Sequence, residues 1–410
     1  MSQGSAKEVT PFDPFSAEVM RDPFTAYGDA RTRCPVMKVS KLDPEFFVVS
    51  RYADVKEVMT NHRTWTKSEG SLLRSTERNV ALSQDPPDFS EFRRIYATYL
   101  SPRSVERLAE PMHRFVTEYL DTMVPLGRGD VHDLFARPLP VKVMATLLGL
   151  PQTGLDEYRR LTDFFLASQF NDPDPEVGAA MMRSLYAFFD EQLQERRNLL
   201  AQAGIDEPSQ EQIGTVLPDD LLSLLLVSKY KDRYLSQEEM RRTARGFFVG
   251  NDTFTSLFLN LLRRLLEDRT RWDAVRADPA LIDVAIEESL RFDPPALGMF
   301  RKSACPVELH GVDIPEGSRM LFAIAGANRD PAVFDDPDEF RLDRDPKQLQ
   351  RHVAFGFGTH FCPGSAIARL EAKIALSAIL ERMPELRLTD EPERIAPFNF
   401  WGVRSFPASW

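Results

Sequence analysis

The chain predicts a mainly α-helical fold with small β-sheets, and three observations carry that expectation. Apolar residues recur at three- and four-residue spacing over long stretches, the mark of amphipathic helices. Runs of strand character are short and gather in two places. No composition shift, internal repeat or linker divides the 410 residues, so one domain over 1–410 is expected.

In chain order, strand-like runs come first, at 35–39 and 46–50. Helical periodicity then covers 104–124, 138–149, 154–170, 177–203, 236–268 and 280–292, punctuated by Pro, Gly and Asp. The Pro- and Gly-bearing stretch 204–219 reads as a surface loop. The later strand-like runs are 307–309, 319–325 and 386–388.

The longest periodic run, 236–268, opens with Ser236-Gln237-Glu238-Glu239, a capping box in which Ser and Glu can satisfy each other's backbone N–H groups. Unbroken, it would reach roughly 48 Å at 1.5 Å per residue and cross the molecule. Its middle reads Val249-Gly250-Asn251-Asp252-Thr253-Phe254. A mid-helix Gly costs about 1 kcal/mol relative to Ala, and an Asp-Thr pair among Phe and Leu is costly to bury without partners. Two readings stay open: a kink with a satisfied polar pair, or a groove where a ligand approaches the backbone.

Composition limits the function. The chain is 43% hydrophobic and 28% charged, with a net charge of -11; this argues against general affinity for nucleic acid or anionic membrane. No apolar run approaches the ~18 residues that span a bilayer, and the start of the chain carries no basic cluster followed by an apolar stretch. A cytoplasmic protein without a membrane anchor is expected. The three cysteines, Cys34, Cys305 and Cys362, make no disulfide scaffold and no CxxC pair. The six histidines form no HExxH or HxH pattern.

One segment stands apart: Phe355-Gly356-Phe357-Gly358-Thr359-His360-Phe361-Cys362-Pro363-Gly364. Two glycines two residues apart allow a tight turn with positive φ, and Pro363 suits the first position of a helix. An amphipathic run over 365–382 follows. Cys362 is therefore expected at a helix N-terminus, where backbone N–H groups favour a thiolate. That suits a metal ligand or a nucleophile; the nucleophile reading wants a base and an orienting group, and only His360 lies nearby. A phosphate-cradling loop fits poorly, because GxGxxG is incomplete and no strand leads into it.

This loop resembles the haem-binding signature of the cytochrome P-450 family, FGxGxHxCxG, with each fixed position matched from Phe355 to Gly364. Glu288-Ser289-Leu290-Arg291 resembles the family's ExxR motif, its carboxylate and guanidinium on one helix face. Val249 to Phe254 resembles the oxygen-activating helix motif. Asp85-Pro86-Pro87-Asp88 with Arg93 is similar to the start of a helix that touches haem, and 327–331 and 402–407 also match bacterial members. The resemblance covers about 12–410.

It implies a single P-450 fold with haem b between the long central helix and the cysteine-loop helix. Cys362 would be the axial thiolate, which pushes electron density toward O–O cleavage. Arg93, Arg301 and His360 would hold the haem propionates, Phe355 would pack beside the sulfur, and Gly364 closes the motif. Asp252 and Thr253 would relay protons during O2 activation. Glu288 and Arg291 would be structural. Where many relatives have PERF, this chain has Pro337-Asp338-Glu339-Phe340, so Arg341 or Arg344 must complete that trio. Positions matching substrate contacts include Leu72, Leu73, Arg74, Phe164, Phe165, Phe248, Gly250, Leu297, Met299, Phe398, Phe400 and Trp401, a strongly apolar set. Electrons would come from an iron–sulfur ferredoxin with its NAD(P)H-dependent reductase, docking near Arg103, Arg107 and Arg369.

Two departures matter. Phe89 stands where many bacterial members have a His four residues before the propionate Arg, so one propionate contact is lost. Phe254 stands where Thr or Ser often follows the active-site Thr. Rival functions within reach of Cys362 are a peroxygenase or haem-thiolate isomerase, which does not need the Asp252-Thr253 pair, and a haem carrier or sensor without turnover.

Overall fold

The computed structural model describes residues 13–410 apart from 15, 74–82, 154, 156–159, 161–174, 249 and 396–397, and for 175, 178 and 248 the backbone alone. The expected fold class holds: helices dominate and strands are short. Strands β1 (Val36–Val39), β2 (Phe46–Val49), β3 (Trp65–Thr66), β4 (Met299–Ser303) and β5 (Arg319–Phe322) form one sheet in the order β1-β2-β5-β4-β3. The β2–β5 pair is parallel and the other pairs are antiparallel. Side chains alternate across the sheet with period two. Phe46, Val48, Phe300 and Leu321 join one apolar cluster, and Phe47, Val49, Met320 and Phe322 another. Covered on both faces, β2 and β5 are buried at every residue.

The helices that position the site are α1 (Asp88–Ala97), α2 (Ala109–Met123), α3 (Pro138–Leu148), α4 (Pro175–Gln202), α5 (Gln237–Phe248), α6 (Asn251–Leu266), α7 (Leu281–Phe292) and α8 (Ser365–Arg382). Their apolar faces meet in the largest core cluster, including Phe115, Leu139, Phe258, Leu261, Ile286 and Leu376. Gly149, at φ +74°, ends α3 in the left-handed conformation that glycine tolerates. The stretch 204–219 is a loop with one short 3-10 turn at Gln210–Gln212. The expected helix 154–170 lies almost wholly outside the described residues.

Three expectations need correction. The run 236–268 is two helices, α5 and α6, with Gly250 between them outside either helix, although its capping box is real: Ser236 N–H donates to Glu239 Oε2 at 2.8 Å and Glu239 N–H to Ser236 Oγ at 3.2 Å. At the interruption the Gly250 N–H turns back to the Phe247 carbonyl, a three-residue step that leaves the α pattern. Strand 319–325 stops at Phe322, and Ile324–Ala327 is helical. The central strand β4 was not anticipated, because Arg301 and Lys302 interrupt its apolar pattern.

The C-terminal segment closes against α6. Gly402 makes this approach possible, since a Cβ there would strike Ser256. Asn260, buried on α6, donates to the Asp293 carbonyl at 3.2 Å and the Trp401 carbonyl at 3.0 Å.

Candidate active site

The cysteine loop is built as its glycines suggest. Gly356 and Gly358 have φ +76° and +71°, values a non-glycine residue adopts only with strain. Cys362 N–H donates to the Phe355 carbonyl at 2.8 Å, closing the loop. The helix begins two residues later than Pro363 suggests: Gly364 is the N-cap of α8 and Ser365 its first residue. The Gly364 N–H points at the Cys362 sulfur. Burial nonetheless pushes the thiol up, against the opposing pull of that N–H and of Arg93, Lys67 and Arg369. The helix N-terminus alone therefore does not make this sulfur a thiolate; coordination to a metal would.

Cys362 opens into a cavity. Phe355, Gly356, His360 and Gly364 line it beside the sulfur. Phe247, Gly250, Thr253 and Phe254 line it from the α5–α6 junction, and Ala296, Met299, Arg301 and Phe322 from the sheet side. Lys67 and Glu371 also line it, and neither was singled out from the sequence. Among the described residues there is no cluster of three or more His, Cys, Asp or Glu able to hold a metal. Any metal here would have one protein sulfur as its ligand.

The polar groups are placed with few partners. Arg301 is buried on β4, donates to its neighbour's carbonyl, Phe300 O, at 3.0 Å, and has its pKa lowered to about 10 by burial. Both ring nitrogens of His360 are buried without a hydrogen-bond partner. Burial first, then Lys67, Arg301 and Arg93, hold that ring neutral. Arg93, on α1, donates to the Thr359 carbonyl at 3.0 Å and lines a depression on the other side of the loop with Cys362, Phe361, Arg369 and Lys373. Phe89 lies over His360, with ring centroids 4.1 Å apart.

Thr253 Oγ1 donates to the Gly250 carbonyl at 2.8 Å. That bond spends its proton and leaves its lone pairs for the cavity. Asp252, one step round α6, does not line the cavity; its Oδ2 is buried. Phe254 both lines the cavity and stacks on Phe258 at 5.9 Å, so it fills space between α6 and its neighbours.

Beneath the loop lies a dense charge network. Glu288 and Arg291 are 0% exposed and joined by two bonds of 2.8 Å. Arg344 is the third partner, with Nε 3.0 Å from Glu288 Oε2; the side chain of Arg341 instead faces Asp336 and Asp343. Arg291 also donates to the carbonyls of Asn328, Pro337 and Glu339. Beside it, Glu287 accepts from Arg369 at 2.6 Å and from His352 at 2.9 Å. Burial would raise the Glu287 carboxyl, but those two partners hold it down at about 2.

Several expected substrate contacts lie elsewhere. Leu297 is core, packed with Phe46, Phe300 and Leu321. Gly298 turns the chain there so tightly that a Cβ would sit 2.9 Å from the Phe322 carbonyl, and the side chains before and after it face different ways. Phe400 packs beside the cluster of Phe47 and Met320, with Ala296 as its bridge partner. Phe398 stacks on Phe46, Trp401 meets Phe24 edge-on, and Leu73 packs on the same cluster. Leu72 is partly buried and off the lining. Arg74, Phe164 and Phe165 lie outside the described residues, as does the side chain of Phe248. Of the three arginines expected on a docking surface, Arg103 is exposed, Arg369 is engaged with Glu287, and Arg107 folds back onto the Tyr99 ring at 3.7 Å.

The cytochrome P450 family model matches residues 23–395. This chain belongs to the cytochrome P450 family. It is 31% identical over 412 residues to cytochrome P450 107B1 of Saccharopolyspora erythraea, covering 96% of this chain and 95% of that one. To the cytochrome P450 monooxygenase PikC of Streptomyces venezuelae it is 32% identical, with 95% and 91% covered. The crystal structure of CYP109E1 from Bacillus megaterium in complex with testosterone superposes with a TM-score of 0.80 at 26% identity, covering 95% of this chain and 99% of that one. As a P450, the protein is a haem-dependent monooxygenase. No helix among the described residues is long and apolar enough to cross a membrane.

Proposed function

We propose that this P450 holds haem b on the Cys362 sulfur and inserts one oxygen atom from O2 into a small to mid-sized hydrophobic molecule. The observation that carries the reading is a lone thiol on a glycine loop, facing an apolar cavity that also holds Thr253 and unmatched cationic side chains. The donor set suits iron protoporphyrin IX: one sulfur for the iron, and Arg301, Arg93 and the unpartnered His360 nitrogens for its carboxylates. When bound, that group supplies the reductive activation of dioxygen.

The protein's own residues then hold, exclude and deliver. Phe355 and Gly364 flank the sulfur and limit water at it. Glu288, Arg291 and Arg344 fix the chain beneath the loop. Thr253 accepts a hydrogen bond at Oγ1 from a protonated species in the cavity, because its own proton is given to Gly250 O. Asp252 replenishes protons from outside the lining. The cavity's apolar wall, with Met299 and Phe247 prominent, favours an apolar ligand at roughly 25 cal/mol per Å² buried; the steroid bound by the Bacillus relative is of that class. We take the chain to work as a single domain in the cytoplasm, with a ferredoxin and its NAD(P)H-dependent reductase as electron source. The depression that holds Arg93, Arg369 and Lys373, together with Glu106 and with Asp283 paired to Lys373, is the surface we assign to that partner, with Phe361 38% exposed in it.

Ferredoxin-supported turnover tests this. Thr253→Ala should consume reductant and release peroxide in place of product, and Asp252→Asn should slow turnover by about 10²-fold. Efficient, coupled turnover in Thr253→Ala, or activity with peroxide alone equal to that with ferredoxin, would favour the peroxygenase instead. Docking by charge predicts turnover falling as salt rises through 0.1–0.15 M, where screening sets in beyond about 8–10 Å.

A further inference from the structure

The cationic groups beside Cys362 outnumber their acids. Arg301 and Arg93 both bear on Lys67, the acidic groups it feels are the Cys362 thiol and Asp85, and Asp85 is the carboxylate that Arg301 also feels. Both Asp85 oxygens are occupied: Oδ1 accepts the Lys67 backbone N–H at 3.0 Å and Oδ2 accepts the Thr66 hydroxyl. These bonds tie the end of β3 to the start of α1 and fix where Lys67 enters the cavity. The other nearby acid, Glu69, is paired with Lys302 at 2.7 Å and lies 3.6 Å from Arg319. Burial pushes the Glu371 carboxyl on the same lining well up, so three cations face one charged carboxylate, and the excess of two positive charges is what two carboxylates would balance.

Phe89 sharpens the point. It stands where the resemblance leads one to expect a His, offers no polar atom, and covers one face of His360. We propose that Lys67 is a third cationic ligand to the haem carboxylates, replacing the histidine that Phe89 has displaced. A lysine serves here as a point charge on a flexible stem, able to reach a carboxylate from the sheet edge while Phe89 fills the space on α1. Without an anion it is held in an unfavourable state: burial, Arg301 and Arg93 lower its pKa to about 7. A partner carboxylate would remove that penalty. The assignment rests on the haem reading above.

Release of haem from the loaded protein to excess apomyoglobin tests it, with the reduction potential as a second readout. Lys67→Met should release haem about tenfold faster or more, as expected for loss of a hydrogen bond to a charged group, with the thiolate's carbon-monoxide band unmoved. Its potential should fall, because a positive charge that favours the reduced state is gone. Lys67→Arg should behave as the parent within about threefold, and Phe89→His placed in Lys67→Met should recover most of the lost retention. If Lys67→Met yields no loaded protein, Lys67→Arg and the Phe89→His double variant must still yield it. Equal haem release in parent and Lys67→Met, equal impairment of Met and Arg, or no rescue by Phe89→His would each overturn the assignment. A parent protein that takes up no haem would overturn the haem reading itself.

Discussion

The two sides of the cavity are built on opposite principles. Below the cysteine loop, charged groups are buried with their partners in place: Glu288, Arg291 and Arg344 bond one another and six backbone groups, and Glu287 is clamped by Arg369 and His352. Around the α5–α6 junction, order comes from aromatic packing, and polar atoms are left without protein partners, as with both side-chain atoms of Asn251. The matched side fixes a loop in one place. The unmatched side keeps polar groups for something that is not protein. A buried group without a partner costs about 1–3 kcal/mol, so the molecule accepts instability where it works and removes it where it only supports.

That contrast can be broken at Glu288. Removing one member of a buried ion pair strands the other, at about 3–5 kcal/mol. Glu288→Ala should therefore strongly destabilise the protein in denaturant unfolding. A loss under about 1 kcal/mol would show that the matched side is not what holds the loop.

The next contrast separates core from cavity on either side of Gly298. Leu297→Ala should cost about 2–4 kcal/mol of stability and leave ligand-induced spin-state changes intact. Met299→Ala should do the reverse, weakening those changes at a smaller stability cost. Equal effects of the two on ligand binding would return Leu297 to the cavity wall.

These two residues also show what could be read from the sequence. The helices, the capping box at Ser236 and the glycine loop were legible because each is local: a period, a cap, a positive φ. So was the pairing of Glu288 with Arg291, three residues apart on one helix. Leu297 was misassigned because its direction depends on a turn set by Leu321 and Phe322, far along the chain. β4 was hidden by Arg301, whose burial makes sense only once the cavity exists. Lys67 gave no signal, since what marks it is its place on the cavity wall beside Arg301 and Arg93, which only the fold brings together. The break at Gly250 was half visible: the glycine announced a kink, but not that one helix would end before it and another begin after it.

The smallest effect expected is at Glu287. Its carboxyl is held at about 2, below the ordinary 4.5 of a glutamate. The stability it contributes is therefore fully present above about 4.5 and lost as pH falls toward 2. Glu287→Gln should lower stability at neutral pH and make the acid limb of a stability–pH curve shallower between those values, so that its curve and the parent's converge toward pH 2. An unchanged acid limb would mean the Arg369 and His352 contacts contribute nothing measurable.

The central claim is that Cys362 carries the iron. Its most direct test is the absorption spectrum of the reduced, carbon-monoxide-treated protein. The parent, Cys34→Ser and Cys305→Ser should all show the strongly red-shifted Soret band of thiolate-ligated haem, and Cys362→Ser should lack it. A red-shifted band surviving in Cys362→Ser would contradict the account.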